Sequence, residues 1–162
     1  MALPQPQQYH FPRFSVLFSV FFSAALFSLC SCKHESKTYT SDCDMDISFK
    51  KVSFEQLVDS IKNYDQQYVE VSGKYEEDKE LSALFSNGLT SGPDNTALWV
   101  NFSQDCPLYQ TGTHKGLFEY NDGQFTQIND QAITIRGLIN IGNKGHGKKF
   151  KATIERISLV KL

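Results

Sequence analysis

The chain has 162 residues, a formal net charge of −2 and 40% hydrophobic residues, which is the size and composition of a single globular domain. A chain of this length can bury a core without help from metals or many disulfides. The small acidic excess argues against a protein whose main task is to hold nucleic acid, because such proteins normally carry a strong basic surplus.

The first 31 residues have the pattern of a secretion signal. Arg13 is the only charged residue ahead of an apolar stretch of roughly eighteen residues, the arrangement that directs a chain into the secretion channel. Leu29 stands three places before Cys32, the small residue Ser31 stands directly before it, and a polar sequence follows. Residues 1–31 are therefore predicted to be a removable signal peptide.

The sequence Leu29-Cys30-Ser31-Cys32 resembles the lipobox of bacterial lipoproteins. The resemblance implies that Cys32 is alkylated by a diacylglyceryl group and becomes the first residue of the mature protein. It also implies a lipid-anchored protein of the cell envelope, since two or three acyl chains hold a protein stably on a membrane. In a Gram-negative host the outer membrane is favoured, because no Asp directly follows Cys32. An ordinary cleaved signal and an uncleaved anchor are the alternatives.

Removal of residues 1–31 changes the charge and the cysteine content. It takes away one basic residue, leaving 15 basic against 18 acidic residues and a formal charge of −3. Cys43 and Cys106 remain besides Cys32, and in an oxidising compartment such a pair can form a disulfide. Two free thiols are the alternative, because the sequence does not show whether the two Cα atoms come within bridging distance.

Residues 32–46 are polar and have no apolar period, which predicts a flexible tether between the lipid and a domain over 47–162. The domain is expected to open with a short amphipathic helix. Ser53 followed three residues later by Gln56 is a capping-box pattern. The apolar residues that share one helical stripe are Phe54, Leu57, Val58 and Ile61.

Alternating apolar residues predict five strands after this helix. They lie at 69–75, 81–85, 97–102, 133–141 and 150–159. Gly73 in the first strand suggests a bulge or a close approach of two backbones, and a change of parity from Ile154 to Ile157 and Leu159 suggests a bulge in the last. Residues 103–130 read as an irregular excursion with one short helix or hairpin.

Five strands with an excursion between the third and fourth match the OB-fold, a partly open Greek-key barrel. The chain also resembles the uncharacterised OB-like lipoprotein and tRNA-anticodon-like domains of bacterial envelopes. The resemblance rests on the helix before Val69-Glu70-Val71-Ser72-Gly73, on Glu80–Phe85, on Ala97-Leu98-Trp99-Val100, and on the fourth strand leading to Gly145-His146-Gly147. It covers residues 50–162 and implies a fold rather than an activity.

We therefore predict a mostly β, five-stranded OB-like Greek-key barrel with one N-terminal amphipathic helix. A β-sandwich and an open sheet with one helix are the alternatives, because they would give similar patterns.

No pattern in the sequence names a reaction. The mature histidines, His34, His114 and His146, come with no metal-protease, paired-cysteine or serine-nucleophile motif. We predict no catalytic residues, no metal site and no cofactor. The question of an enzyme stays open, and a non-catalytic protein is favoured.

The segment Gly142–Lys149 is the best candidate for a binding loop. Glycines on both sides of His146 free the backbone, and Lys144 and Lys148 are placed to receive an anion. In the alternative interpretation this is only a hairpin loop, with glycines that supply positive φ and lysines that keep the strand ends soluble.

OB barrels bind through their second and third strands and through the loop between the fourth and fifth. This predicts ligand contacts at Tyr75, Trp99, Lys144, His146 and Lys148. We expect a membrane-anchored module that binds a protein, peptide or glycan of the envelope. A small envelope hydrolase or enzyme inhibitor is one alternative. Single-strand nucleic-acid binding is another, which the envelope location and the net charge oppose.

Overall fold

The computed structural model describes residues 36–88, 96–119 and 126–162. Its strands are β1 (Thr38–Thr40), β2 (Lys50–Lys51), β3 (Tyr68–Asp78), β4 (Leu81–Phe85), β5 (Leu98–Val100), β6 (Tyr109–Gln110), β7 (Gln131–Asn140) and β8 (Ala152–Lys161). The single α-helix among these residues, α1, is Phe54–Asp59, and short 3-10 turns cover Asp42–Asp44, Ile61–Tyr64 and His146–Lys148.

The strands β3, β4, β5, β8 and β7 close into a five-stranded barrel. Neighbouring strands are antiparallel except β5 and β8, which run parallel because the chain makes a long excursion and then adds β7 before it returns beside β5. This closed mixed barrel has the architecture of a small OB-fold. The predicted OB-like barrel with one short helix ahead of it is confirmed.

Alternate residues of β3 and β7 form much of the core. Val69, Val71 and Ile135 are at most 1% exposed. Gly73 marks the place where β3 exchanges β2 for β4 as a neighbour. A Cβ atom at Gly73 would collide with the backbone oxygen of Phe85, so the close approach suggested by the sequence is present and requires glycine.

The helix α1 begins as the capping pattern predicts. The Ser53 hydroxyl accepts a hydrogen bond from the Gln56 backbone N–H at 3.2 Å, which satisfies one of the free donors of the first turn. Phe54, Leu57 and Val58 are buried against the barrel. The helix ends at Asp59. Ile61, the fourth residue of the predicted stripe, lies in the following 3-10 turn, where it is also buried.

The strand β8 contains the bulge that the change of parity suggested. Arg136 pairs with Leu159, whereas Leu138 pairs with Glu155, so 156–158 lie opposite Gly137 alone. Arg156 has a φ of +52°. Because the bulge adds two residues, an even number, the even-numbered positions face the core both before and after it. Val160 is therefore fully buried and Leu159 only partly. The prediction that Leu159 faces the core is therefore wrong.

The domain begins earlier than the sequence predicts. β1 pairs with the end of β8, its central residue Tyr39 is 1% exposed, and Ser36–Leu162 form one compact unit. The prediction of a flexible tether over 32–46 is therefore wrong from residue 38 onward. β1 is held in the sheet because it pairs with backbone groups at the end of β8 that would otherwise be exposed. The predicted signal peptide and Cys32 lie outside the described residues.

Candidate functional site

A small apolar cluster lies on the outer face of the barrel, separate from its core. Its buried members are Ala83, Phe85, Ala97 and Phe150, and Leu81 and Trp99 pack against them. Trp99 lies on the face of β5 opposite to the buried Leu98 and Val100, as the alternation predicts. Its ring centroid is 5.2 Å from that of Phe150, so the indole is partly buried and held in place by packing.

The basic loop, Gly142–Lys149, is ordered by its own hydrogen bonds and packs over Trp99. The Asn140 side chain accepts hydrogen bonds from the backbone N–H groups of Gly142 and Asn143, and Asn143 accepts one from Gly145 at 3.0 Å. A Cβ atom at Gly145 would lie 2.6 Å from Cβ of Trp99, and Gly145 has a φ of +65°. Only glycine satisfies both conditions, so the loop packs against the indole in one defined position.

The turn between β3 and β4 meets the basic loop from the other side. The Glu80 carboxylate lies 3.6 Å from Nε2 of His146, and both side chains are more than half exposed, so this pair contributes little to stability. Asp78 and Lys149 complete a cleft of about 190 Å³ between the two segments. This volume is below the several hundred Å³ typical of sites that enclose a small ligand. The cleft suits contact with part of a larger partner.

Four of the five predicted ligand contacts are brought together here. Lys144, His146 and Lys148 are exposed on the basic loop, and Trp99 lies beneath it. Whether they bind a ligand stays a prediction.

The prediction that Tyr75, the fifth of these residues, contacts a ligand is wrong. It lies on the inward face of β3 and is 1% exposed, and its hydroxyl is hydrogen-bonded to Glu77 and Ser82. Burial raises the pKa of its phenol.

Cys43 and Cys106 form a disulfide, with Cα atoms 5.5 Å apart. Of the two possibilities that the sequence leaves open, the structure contains the bridge. It links the turn after β1 to the excursion after β5. Neither cysteine is therefore a free thiol for catalysis or metal binding.

The Asp44 carboxylate, next to this bridge, is buried at 5% exposure. Its Oδ1 accepts hydrogen bonds from Nη2 of Arg156 at 2.9 Å and from the Tyr68 hydroxyl at 3.3 Å. The N-terminal segment is thereby attached to the bulge of β8 by an ion pair as well as by strand pairing.

A second concave surface, which the sequence did not predict, lies in the excursion between β5 and β7. The chain turns back after β6, so that Tyr109 bridges Gly116 and forms a hairpin. The aromatic groove beside it, about 550 Å³ in volume, is lined by Phe102, Tyr109, His114, Leu117 and Phe118 among others. Tyr109 and Phe118 are 49% and 51% exposed. The only signal in the sequence was the density of aromatic residues, which does not show exposure.

Within residues 36–88, 96–119 and 126–162, no three His, Cys, Asp or Glu side chains are grouped as a metal-binding set. No helix in this part of the chain is long and apolar enough to cross a bilayer. Comparisons with protein-family models, curated proteins and solved structures found no match. The class of the protein, a small OB-like β-barrel, is therefore assigned from its strand pairing alone.

Proposed function

We propose that this protein is a lipid-anchored envelope protein whose barrel binds a protein, peptide or glycan partner without catalysis. The anchor is supported by Leu29-Cys30-Ser31-Cys32 at the end of the apolar stretch. The Cys43–Cys106 disulfide supports an extracytoplasmic location independently, because disulfides persist in oxidising compartments and are rare in the cytosol.

The binding role rests on one observation, the meeting of the basic loop and the β3–β4 turn over Trp99. OB barrels bind oligomeric ligands with the loops that correspond to these two segments. The loop is held by hydrogen bonds and by its contact with Trp99, so little conformational entropy is lost when a partner binds to it. Exposed lysines beside carboxylates offer charge contacts of both signs, which favours a polar partner with extended contacts.

Replacement of Cys32 by alanine tests the anchor. We expect Cys32→Ala to abolish the incorporation of labelled palmitate, because the thioether linkage requires the Cys32 sulfur. Cys30→Ala is the matched control. It should keep the label, since residue 30 lies in the segment that cleavage removes. Unchanged labelling of Cys32→Ala would overturn the proposed anchor.

Removal of the polar side chains of the basic loop tests the binding role. We expect the triple variant Lys144→Ala, His146→Ala, Lys148→Ala to reduce the yield of crosslinked partner in native envelopes at least about tenfold, which corresponds to a loss of roughly 1.4 kcal/mol. Crosslinking followed by mass spectrometry measures this yield. The variant Lys62→Ala removes an exposed lysine outside the loop and should retain the partner. A triple variant that crosslinks as well as the native protein would contradict the binding role.

A further inference from the structure

We infer that the hairpin end of the barrel, formed by β1 and residues 109–118, lies on the bilayer, and that lipid covers the aromatic groove. The inference rests on the proposed lipid anchor at Cys32. It assigns one surface to the membrane and leaves the opposite end of the barrel to the partner.

The first support is the short reach of the chain between Cys32 and β1. Thr38, the first residue of β1, is six residues beyond Cys32. Covalent geometry limits the separation of their Cα atoms to roughly 22 Å even for a fully extended chain. The β1 end of the barrel therefore stays close to the surface that holds the acyl chains.

The second support is that the groove belongs to the same sheet edge as Thr38. Gln110 and Tyr109 of β6 pair with Tyr39 and Thr40 of β1, and the backbone N–H of Thr111 donates a hydrogen bond to the Thr38 oxygen at 2.8 Å. Whatever lies against β1 therefore also lies against the hairpin and the groove beside it.

The third support is that the groove contains exposed aromatic rings, which are suited to contact with a bilayer. Among the described residues, the exposed large hydrophobic side chains are Met45, Tyr109 and Phe118, and the last two line the same groove. Aromatic side chains are enriched at the interface between bilayer and water, where one part of the ring is apolar and another meets polar groups. A bilayer surface would cover both rings without any change in the barrel.

Exposed charges of both signs lie at this end, and the exposed residues Asp42 and Asp105 line the concave surface next to the hairpin. Lys37, Lys115 and Lys161 are exposed around β1 and the hairpin. Glu119 is the acidic residue in the groove lining, and its carboxylate accepts a hydrogen bond from the Gly116 N–H. These three lysines and three acidic residues lie at the same end, so charge neither favours nor opposes contact with anionic lipids.

The proposed partner site is distant from the Thr38 end of β1, although the groove extends toward it, since Phe102 in the groove lining is three residues beyond Trp99. On β8, Thr153 pairs with both Trp99 and Asn140, and Lys161 pairs with both Thr38 and Thr134. Thr134 and Asn140 are six residues apart on β7, which corresponds to about 20 Å along the strand. Trp99 and the basic loop are thus expected to lie outside the bilayer and to stay accessible.

The fluorescence of tryptophan tests this orientation, because Trp99 is the single tryptophan of the chain. The lipidated protein is reconstituted in vesicles of phosphatidylethanolamine and phosphatidylglycerol, with and without brominated acyl chains, which quench tryptophan at short range. We expect the native Trp99 emission to be unchanged by bromination. Added tryptophans in His114→Trp and Phe118→Trp should lose at least half of their emission. The same two variants carrying Cys32→Ala and lacking residues 2–31, which have neither the acyl chains nor the apolar stretch, should show no quenching at the same lipid concentration.

The outcomes distinguish a failure of the inference from a failure of the proposed anchor. Mass spectrometry of the purified protein first establishes whether Cys32 carries acyl chains, and their absence would overturn the anchor and the inference together. With the acyl chains present, quenching of Trp99, or emission at position 114 or 118 that bromination leaves unchanged, would overturn the inference and leave the anchor intact. Both substituted positions are exposed, and circular dichroism verifies that the barrel is folded in each variant.

Discussion

Replacing both Cys43 and Cys106 by alanine should lower the free energy of unfolding by about 4 kcal/mol, the chain-entropy value for a closed loop of this length. The two residues are 63 positions apart, so the bridge removes many conformations from the unfolded chain. Urea unfolding of the native and the double-variant protein measures the difference.

Reduction of the native protein supplies the control for this prediction. A thiol reductant should lower the stability of the native protein to that of the double variant and leave the variant unchanged. Single alanine variants are less informative, because each leaves one reactive thiol. If the double variant unfolds at the same urea concentration as the native protein, the bridge contributes nothing to stability.

Arg156→Ala should destabilise the domain by about 2 kcal/mol, less than the loss of a fully buried partner, because the Arg156 side chain is 49% exposed but its removal leaves a buried carboxylate without its cation. The carboxylate that would be left is Asp44, whose side chain is 1% exposed and whose Oδ2 has no hydrogen-bond partner within the described chain. The hydrogen bond from Arg156 to Asp44 favours the charged guanidinium and raises the pKa of Arg156. Thermal or urea unfolding of the variant measures the loss.

Arg136→Ala is the matched control for this effect. Arg136 also binds a largely buried carboxylate, Glu70, at 2.7 Å, but Glu70 has a second cation, Lys51, at 3.2 Å. Burial raises the pKa of Glu70, and the hydrogen bonds from Arg136 and Lys51 outweigh burial and lower it. Because Lys51 remains, Arg136→Ala should cost only about 1 kcal/mol. Equal losses of stability in the two variants would contradict the inference that the buried Asp44 carboxylate depends on a single cation.

The long strands and the helix could be predicted because their side chains alternate or repeat over many residues. Val69, Val71 and Tyr75 all face the core, as period-two alternation requires. The same alternation placed Tyr75 inside, so a ligand contact there was inconsistent with the strand. Trp99 lies on the face of β5 opposite to Leu98 and Val100, as alternation requires. Its contact with Gly145 joins a strand and a loop that are far apart in sequence, and no local pattern predicts such a contact.

The features that the sequence did not predict are short or depend on distant pairing. β1 has three residues and one inward side chain, Tyr39, so it has no measurable period. β6 has two residues and is recognisable only from its pairing with β1. The exposure of Phe118 depends on how the hairpin closes, because the side chain type alone favours burial. Pairing between distant segments is a property of the folded chain, which a single sequence does not show directly.

The pairing of β1 with β8 has a consequence for the order in which the domain can form. Thr38 pairs with Lys161, so the first strand of the domain cannot pair until residue 161 has been synthesised. β5 likewise needs β8 to close the barrel. Contacts so distant in sequence form slowly, because the loop between them must close first. The domain is therefore expected to complete its fold only after residue 161 has been synthesised, and deletion of residues 159–161 should release β1 as well.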